Sequence, residues 1–417
     1  MKLRLFKFFA CFALSILVFL SFKVSLIYKG SIEIIFSFIL VQISIWSLLF
    51  FEGKKSSIIS YNLYFIIVLN LFTTPIFHLI TFDIPYRAPN YVETKTYSSK
   101  FFEGIFFGEH TISADEKGFR INKDKINYYS KNKNTFRVFN IGASTTEQMH
   151  LDDKKIWTNL LGNKIKKITD KDIEIINTGV GGLRAEHHYI FQKRIKKYNP
   201  DLLIFLIGIN DWNHHIKNSE VKFFFPKYEI KYDFKKSILF NFFQNINKQL
   251  KKKISPSAEK NIQINEEEYY TSQINSLNIR ETIKKFKPNS VSEEYKFWLN
   301  LTINECKENN YNCLFLDQPN AYDKNVSTEL KNRFWMTPPN EDYTLNLEDL
   351  IYISSLYNNF LKNITSENKL NFCNLSNKIK PNINYFYDDC HFSEKGSKKV
   401  SEIVFECLNM DLKLISN

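Results

Sequence analysis

The chain has 417 residues, 44% of them hydrophobic and 24% charged, and at roughly 150 residues per domain that length allows two or three units. This balance excludes wholesale disorder, collagen and disulfide-rich mini-scaffolds. The 56 Lys+Arg against 44 Asp+Glu leave a net +12, a basic surface that suits anionic polymers or lipid without naming either.

The first 86 residues read as membrane-embedded. Only uncharged, mostly apolar residues lie between Lys7 and Lys23, and with Lys23 snorkelling outward the stretch from Leu5 to about Leu26 can cross a bilayer. Charge-free runs from Ile34 to Phe51 and from Ser56 to Phe82 follow, so three spans are expected at about 5–26, 33–52 and 58–82. A cleaved signal peptide is the alternative for the first, since Lys2, Arg4 and Lys7 form a basic leader, but no small-x-small cleavage site follows. Those three residues, with Lys54 and Lys55 in the second loop, put the N-terminus in the cytoplasm. Everything after Asp83 then lies outside it, although Lys23 and Lys29 weaken the asymmetry. His78 sits close enough to the interface to need no function.

Residues 87–135 are polar and rich in Tyr and Lys, and read as a connector. From there to about residue 411 strands and helices alternate. Strands are expected at Phe136–Ile141, Ile173–Asn177, Leu202–Ile207, Cys313–Leu316 and Leu370–Cys373. Helices are expected over Lys154–Ile168, Arg184–Tyr198, Glu293–Glu308, Asn346 to about Asn363, and Ser393–Leu408. The pattern predicts an α/β fold: a three-layer α/β/α, flavodoxin-like domain on a five-stranded parallel sheet. An insertion at about 212–289 interrupts it, too long for an αβ connection and too polar for core. Inside it Leu239, Phe243, Ile246 and Leu250 recur at helical spacing among lysines, a basic amphipathic helix that suits either a lid or a membrane surface.

Open parallel sheets bind ligands beyond the carboxyl ends of their strands. After the first strand comes Gly142-Ala143-Ser144-Thr145-Thr146, a serine in a tight glycine turn leading into a helix; it reads as an exposed hydroxyl at the cleft or as a plain helix N-cap. After the second comes Gly179-Val180-Gly181-Gly182, suited to close approach of backbone amides to a ligand. A dinucleotide fingerprint fails here, because its third glycine would fall at Arg184. Gly208-Ile209-Asn210-Asp211 after the third strand offers a side-chain amide. Near the C-terminus, Asp388-Asp389-Cys390-His391 puts an aspartate where it can reach Nδ1–H of a histidine three residues on and leave Nε2 facing a serine.

With these four blocks in this order, the sequence resembles the SGNH/GDSL hydrolase superfamily over roughly Gly118 to Leu408, including the lead-in Asp115 to Arg120 and the run Asn199-Pro200-Asp201. The resemblance implies Ser144 as nucleophile, His391 as general base and then acid, and Asp388 as the group that orients His391. It implies an oxyanion hole from the backbone N–H groups of Ser144 and Gly182 with the side chain of Asn210. The family's first block usually has aspartate where Ala143 stands, which puts the subgroup in doubt, and Asp389 competes with Asp388 on sequence alone.

Two histidine pairs, His187 with His188 and His214 with His215, raise a zinc site completed by Glu186, but neighbours on a helix point about 100° apart and cannot easily share a metal. No metal, no cofactor and no nucleic-acid partner are expected. Five of the six cysteines fall in the exterior domain, where disulfides persist; Cys373, Cys390, Cys306 and Cys313 are candidates, and one thiol must stay free. The expectation is a membrane-anchored serine esterase acting on an acyl ester, with O-acyl groups on cell-envelope glycans or lipids as substrates on location alone. An O-acyltransferase using the same residues and a catalytically silent membrane-tethered binding module are the alternatives.

Overall fold

The computed structural model describes residues 87, 89–97, 105–123, 125–218, 282–334, 338, 341 and 343–410. The three expected spans and the amphipathic stretch 239–250 lie outside these residues. No helix among the described residues is long and apolar enough to cross a membrane.

The central sheet is built from β3 (Arg120–Ile121), β4 (Thr135–Gly142), β5 (Asp172–Asn177), β6 (Leu202–Leu206), β8 (Asn312–Leu316) and β10 (Asn371–Cys373), in the order β10-β8-β6-β4-β5-β3. All neighbours pair in parallel except β3, which runs antiparallel to β5 through Arg120 opposite Asn177. The five parallel strands therefore follow the expected 2-1-3-4-5 arrangement. The sixth strand, two residues long, is too short to leave a pattern in the sequence.

Helices cover both faces, which is why β4 and β6 are buried throughout and β6 reads as an apolar run. Phe136, Val138, Ile175 and Ile204 face one core, closed by α2 (Trp157–Ile165) and α8 (Glu394–Met410) through Trp157, Leu161, Val400 and Val404. The alternate residues Phe139, Ile141, Ile176 and Phe205 are equally buried on the other face, where Phe205 stacks on Phe315 of β8 at 4.8 Å. Further helices are α1 (Ser144–Glu147), α3 (Ala185–Ile195), α4 (Ile209–Lys217), α5 (Glu293–Glu308), α6 (Thr328–Lys331) and α7 (Leu347–Glu367). Ser292 and Asn346 cap α5 and α7, their side-chain oxygens accepting the N–H of Tyr295 and Asp349.

Two boundaries differ from expectation. Residues 87–135 are not a bare connector: β1 (Val92–Tyr97) and β2 (Gly108–Ser113) form an antiparallel hairpin, and Phe106, Ile112 and Tyr128 are buried. Tyrosine misleads here because its ring buries while its hydroxyl is bonded, as Tyr128 is to Asp115. The insertion also begins later than residue 212, since α4 continues to Lys217 with Trp212 fully buried. At its other end β7 (Thr282–Lys284) pairs in parallel with β9 (Tyr343–Leu345). Disulfides join Cys306 to Cys313 and Cys373 to Cys407, and Cys390 is buried and outside both.

Candidate active site

The chain leaves β4 through Gly142 so tightly that a Cβ there would lie 2.1 Å from Thr146 Oγ1 and 2.8 Å from the carbonyl of Leu206. Only glycine fits, and the turn delivers Ser144 at the start of α1. Before α8 another turn is built around Asp388: its Oδ1 accepts the N–H groups of Cys390 (2.9 Å) and His391 (2.7 Å). This pins the carboxylate so that Oδ2 accepts from His391 Nδ1 at 2.7 Å, while His391 Nε2 lies 2.8 Å from Ser144 Oγ. A buried carboxylate only accepts, so Nδ1 carries the proton and Nε2 accepts from the serine hydroxyl. The Tyr387 ring stacks on His391 at 5.6 Å and 14°. Burial alone pushes the His391 pKa down, but the charge and hydrogen bond of Asp388, with Asp389 and Glu147 adding, outweigh it and hold the pKa above 6.5.

Asp389 is engaged elsewhere, its Oδ2 accepting from the Tyr322 hydroxyl at 3.0 Å and its carbonyl from Ala321 N–H. The Cys390 sulfur sits 3.4 Å from His391 Nδ1, but burial raises the thiol pKa well above its ordinary value, so it stays protonated and poorly nucleophilic.

The glycine loop lies directly against α1. A Cβ at Gly179 would fall 2.5 Å from the Glu147 nitrogen, and one at Gly181 would fall 3.9 Å from Ser144 Cβ. Gly182 is exposed with φ +80°, a backbone state that favours glycine. Asn210, half-buried in the first turn of α4, donates one amide hydrogen to the Leu183 carbonyl at 2.9 Å, which ties α4 to this loop and leaves its second amide hydrogen. Beside it Asp211 accepts the Ala185 N–H at 3.0 Å, and burial pushes its pKa up to about 7 against the opposing effects of that bond and of Arg184.

The two histidine pairs go to separate partners. His187 Nδ1 accepts the Arg184 N–H, and His188 is buried, which pushes its pKa down to about 3. His214 pairs with Glu294 at 3.1 Å, and His215 Nδ1 meets the Tyr357 hydroxyl at 3.1 Å. Among the described residues, the His, Cys, Asp and Glu side chains gathered closely enough to hold an ion are Asp388, Cys390 and His391, whose carboxylate and imidazole are already bonded to each other.

Sequence reasoning passed over several residues that shape this site. Arg120 is buried, donates to the carbonyls of Glu147, Gln148 and Leu151 and pairs with Asp153. Its motif is visible in the sequence, but its reach is not. The hairpin adds Tyr97, whose hydroxyl meets His150 Nδ1 at 2.9 Å, and Phe106, which stacks on the His150 ring. Burial, with Lys95 and His391 nearby, pushes the His150 pKa down to about 3, so this ring is neutral at pH 7.

The fold and this hydrogen-bonded serine, histidine and aspartate define the class. Residues 138–404 match the GDSL-like lipase/acylhydrolase family, and the chain belongs to it. It is an ester-hydrolysing enzyme of that family. Similar solved structures include a putative lipolytic protein of the G-D-S-L family from Desulfitobacterium hafniense (11% identity, 66% of this chain and 100% of that one, TM-score 0.35). Others are a putative acylhydrolase from Bacteroides fragilis (15%, 69% and 92%, 0.36) and a psychrotrophic esterase from Pseudoalteromonas (11%, 66% and 98%, 0.35). No curated protein matches the chain.

Proposed function

We propose that this enzyme is a membrane-anchored serine esterase in which Ser144 is the nucleophile, His391 the base and then the acid, and Asp388 the group that holds His391. The chain of contacts from Ser144 Oγ to His391 Nε2 at 2.8 Å and from Nδ1 to Asp388 at 2.7 Å carries this reading. As Oγ attacks the ester carbonyl, its proton passes to Nε2, and the carboxylate stabilises the imidazolium. Charge on the carbonyl oxygen is met by the N–H groups of Ser144 and Gly182 and the remaining amide hydrogen of Asn210; losing one such donor typically costs 2.7–4 kcal/mol at the transition state. The imidazolium protonates the departing alcohol, and His391 then activates water to release the acid.

Three apolar runs before residue 83, with the cytoplasmic N-terminus inferred from Lys2, Arg4 and Lys7, support an extracytoplasmic catalytic domain. Its two disulfides suit an oxidising compartment. In that setting the substrate class is an O-acyl, above all O-acetyl, ester on a cell-envelope glycan or lipid. The test is hydrolysis of p-nitrophenyl acetate by the full chain in the membrane fraction of producing cells. Ser144→Ala and His391→Ala, both folded, are expected to lose on the order of 10,000-fold or more in kcat. Retained activity in folded Ser144→Ala, or activity wholly in the soluble fraction, sinks the corresponding half of the proposal. Acyl transfer to an added sugar in place of water would make the enzyme a transferase.

A further inference from the structure

Glu147 ends the helix that begins with Ser144, and it is 7% exposed. Its Oε2 accepts the Gly181 N–H at 2.7 Å, while its Oε1 takes Arg87 Nη2 at 2.6 Å. Its backbone nitrogen lies where a Cβ on Gly179 would come within 2.5 Å, and its carbonyl accepts from Arg120 at 2.7 Å. One residue therefore touches both ends of the Gly179–Gly181 stretch and sits one turn from the serine. A neutral acceptor would satisfy the Gly181 N–H. A buried carboxylate is costly unless paired, and Arg87 supplies the pair. Arg87 follows closely on the apolar run that ends at Phe82, far from the loop in sequence.

We propose that Glu147 is a positioning residue: by holding the Gly181 peptide against the nucleophile's own helix it sets where the Gly182 N–H points relative to Ser144, and Arg87 locks the carboxylate that does so. This rests on the serine-esterase reading above. Arg87 thereby joins the chain that enters the domain to the loop that binds developing charge. A Cβ at Gly181 would lie 3.4 Å from Oε2 and 3.9 Å from Ser144 Cβ, so the loop rests on both the carboxylate and the serine's own residue.

The test measures kcat and KM for p-nitrophenyl acetate in the full chain, per active site titrated with a fluorophosphonate, in Glu147→Ala, Glu147→Gln and Arg87→Ala, each with a thermal melt. A displacement of about 1 Å costs about 100-fold in rate. Glu147→Ala is accordingly expected to lose about 100-fold in kcat with KM within about threefold. Glu147→Gln keeps a carbonyl oxygen for Gly181 and is expected to recover to within about tenfold of the parent, with Arg87→Ala similarly mild. Parental kcat per titrated site in folded Glu147→Ala overturns the role, and so does a rise in KM alone. Arg87→Ala is expected to lose about three- to tenfold in kcat, so should Glu147→Ala not fold, kcat within about twofold of the parent in folded Arg87→Ala overturns the role. If the parent neither hydrolyses the ester nor labels at Ser144, the esterase reading itself falls; an active parent with an indifferent Glu147 variant removes only the positioning role.

Discussion

The region that carries Ser144 and the region that carries His391 are secured by different chemistry. On the serine side two arginines are taken out of water: Arg120 clamps the segment after α1, and Arg137 on β4 pairs with Glu174 while donating to the carbonyls of Asn127, Tyr128 and Tyr198. On the histidine side Cys373–Cys407 ties β10 to α8, and Asp317 accepts the N–H groups of Leu375 and Ser376 together with the Ser376 hydroxyl. Buried charge is intolerant of losing a single partner, whereas a crosslink acts mainly on the unfolded chain. The contact between Ser144 and His391 is thus held by buried charge pairs on one flank and by a disulfide on the other.

Removing one arginine should break the serine flank most sharply. Arg120→Met removes the buried cation that donates to Asp153 and to three carbonyls, and urea unfolding should register a loss of about 3–5 kcal/mol. A loss below 1 kcal/mol would mean water replaces the guanidinium and the contrast between the flanks is superficial. On the other flank, Cys373→Ala with Cys407→Ala opens a crosslink spanning 34 residues and should cost about 3.5–4 kcal/mol, against about 2–2.5 kcal/mol for the Cys306 and Cys313 pair spanning 7. Equal losses for the two pairs would show that loop closure does not govern this side.

The finest distinction concerns pH. The fold favours the protonated imidazole, so the His391 contribution to stability is full below pH 6.5 and is lost as pH rises through its raised pKa. With His391 as the proposed base, hydrolysis needs the neutral ring, so kcat/KM should fall on the acid side with a midpoint above 6.5. The groups that set this midpoint come from two elements: Asp388 and Asp389 on the turn before α8, and Glu147 on α1. Asp389→Asn should move the midpoint down by a fraction of a unit; a pH–rate profile with the midpoint unmoved, or moved up, would remove Asp389 from that set.

What was readable in advance follows the range of the interactions. Strands β4, β5, β6 and β8 are buried along most of their length because both sheet faces are covered, β6 and most of β8 as apolar runs, and α5 spans the same residues expected from its spacing. The contact between Asp388 and His391 is three residues long and follows from turn geometry. The bond from Gly181 to Glu147 crosses 34 residues and that from Arg87 to Glu147 crosses 60, distances over which no spacing rule operates. The hairpin before β3 was hidden for another reason, since its strands carry charged and polar residues such as Glu93, Lys95, Glu109 and His110 and only a few buried apolar ones such as Tyr97 and Ile112.

Both margins of the central sheet are abbreviated: β3 offers two residues, running against its neighbour, and β10 offers three, with Cys373 stitched to α8. An open sheet margin is a template on which a second chain can add strands, and self-association grows from long, flat, unpaired margins. Here neither margin is long enough to seed such growth, so the sheet resists aggregation in the folded state, with β10 further held to α8 by its disulfide.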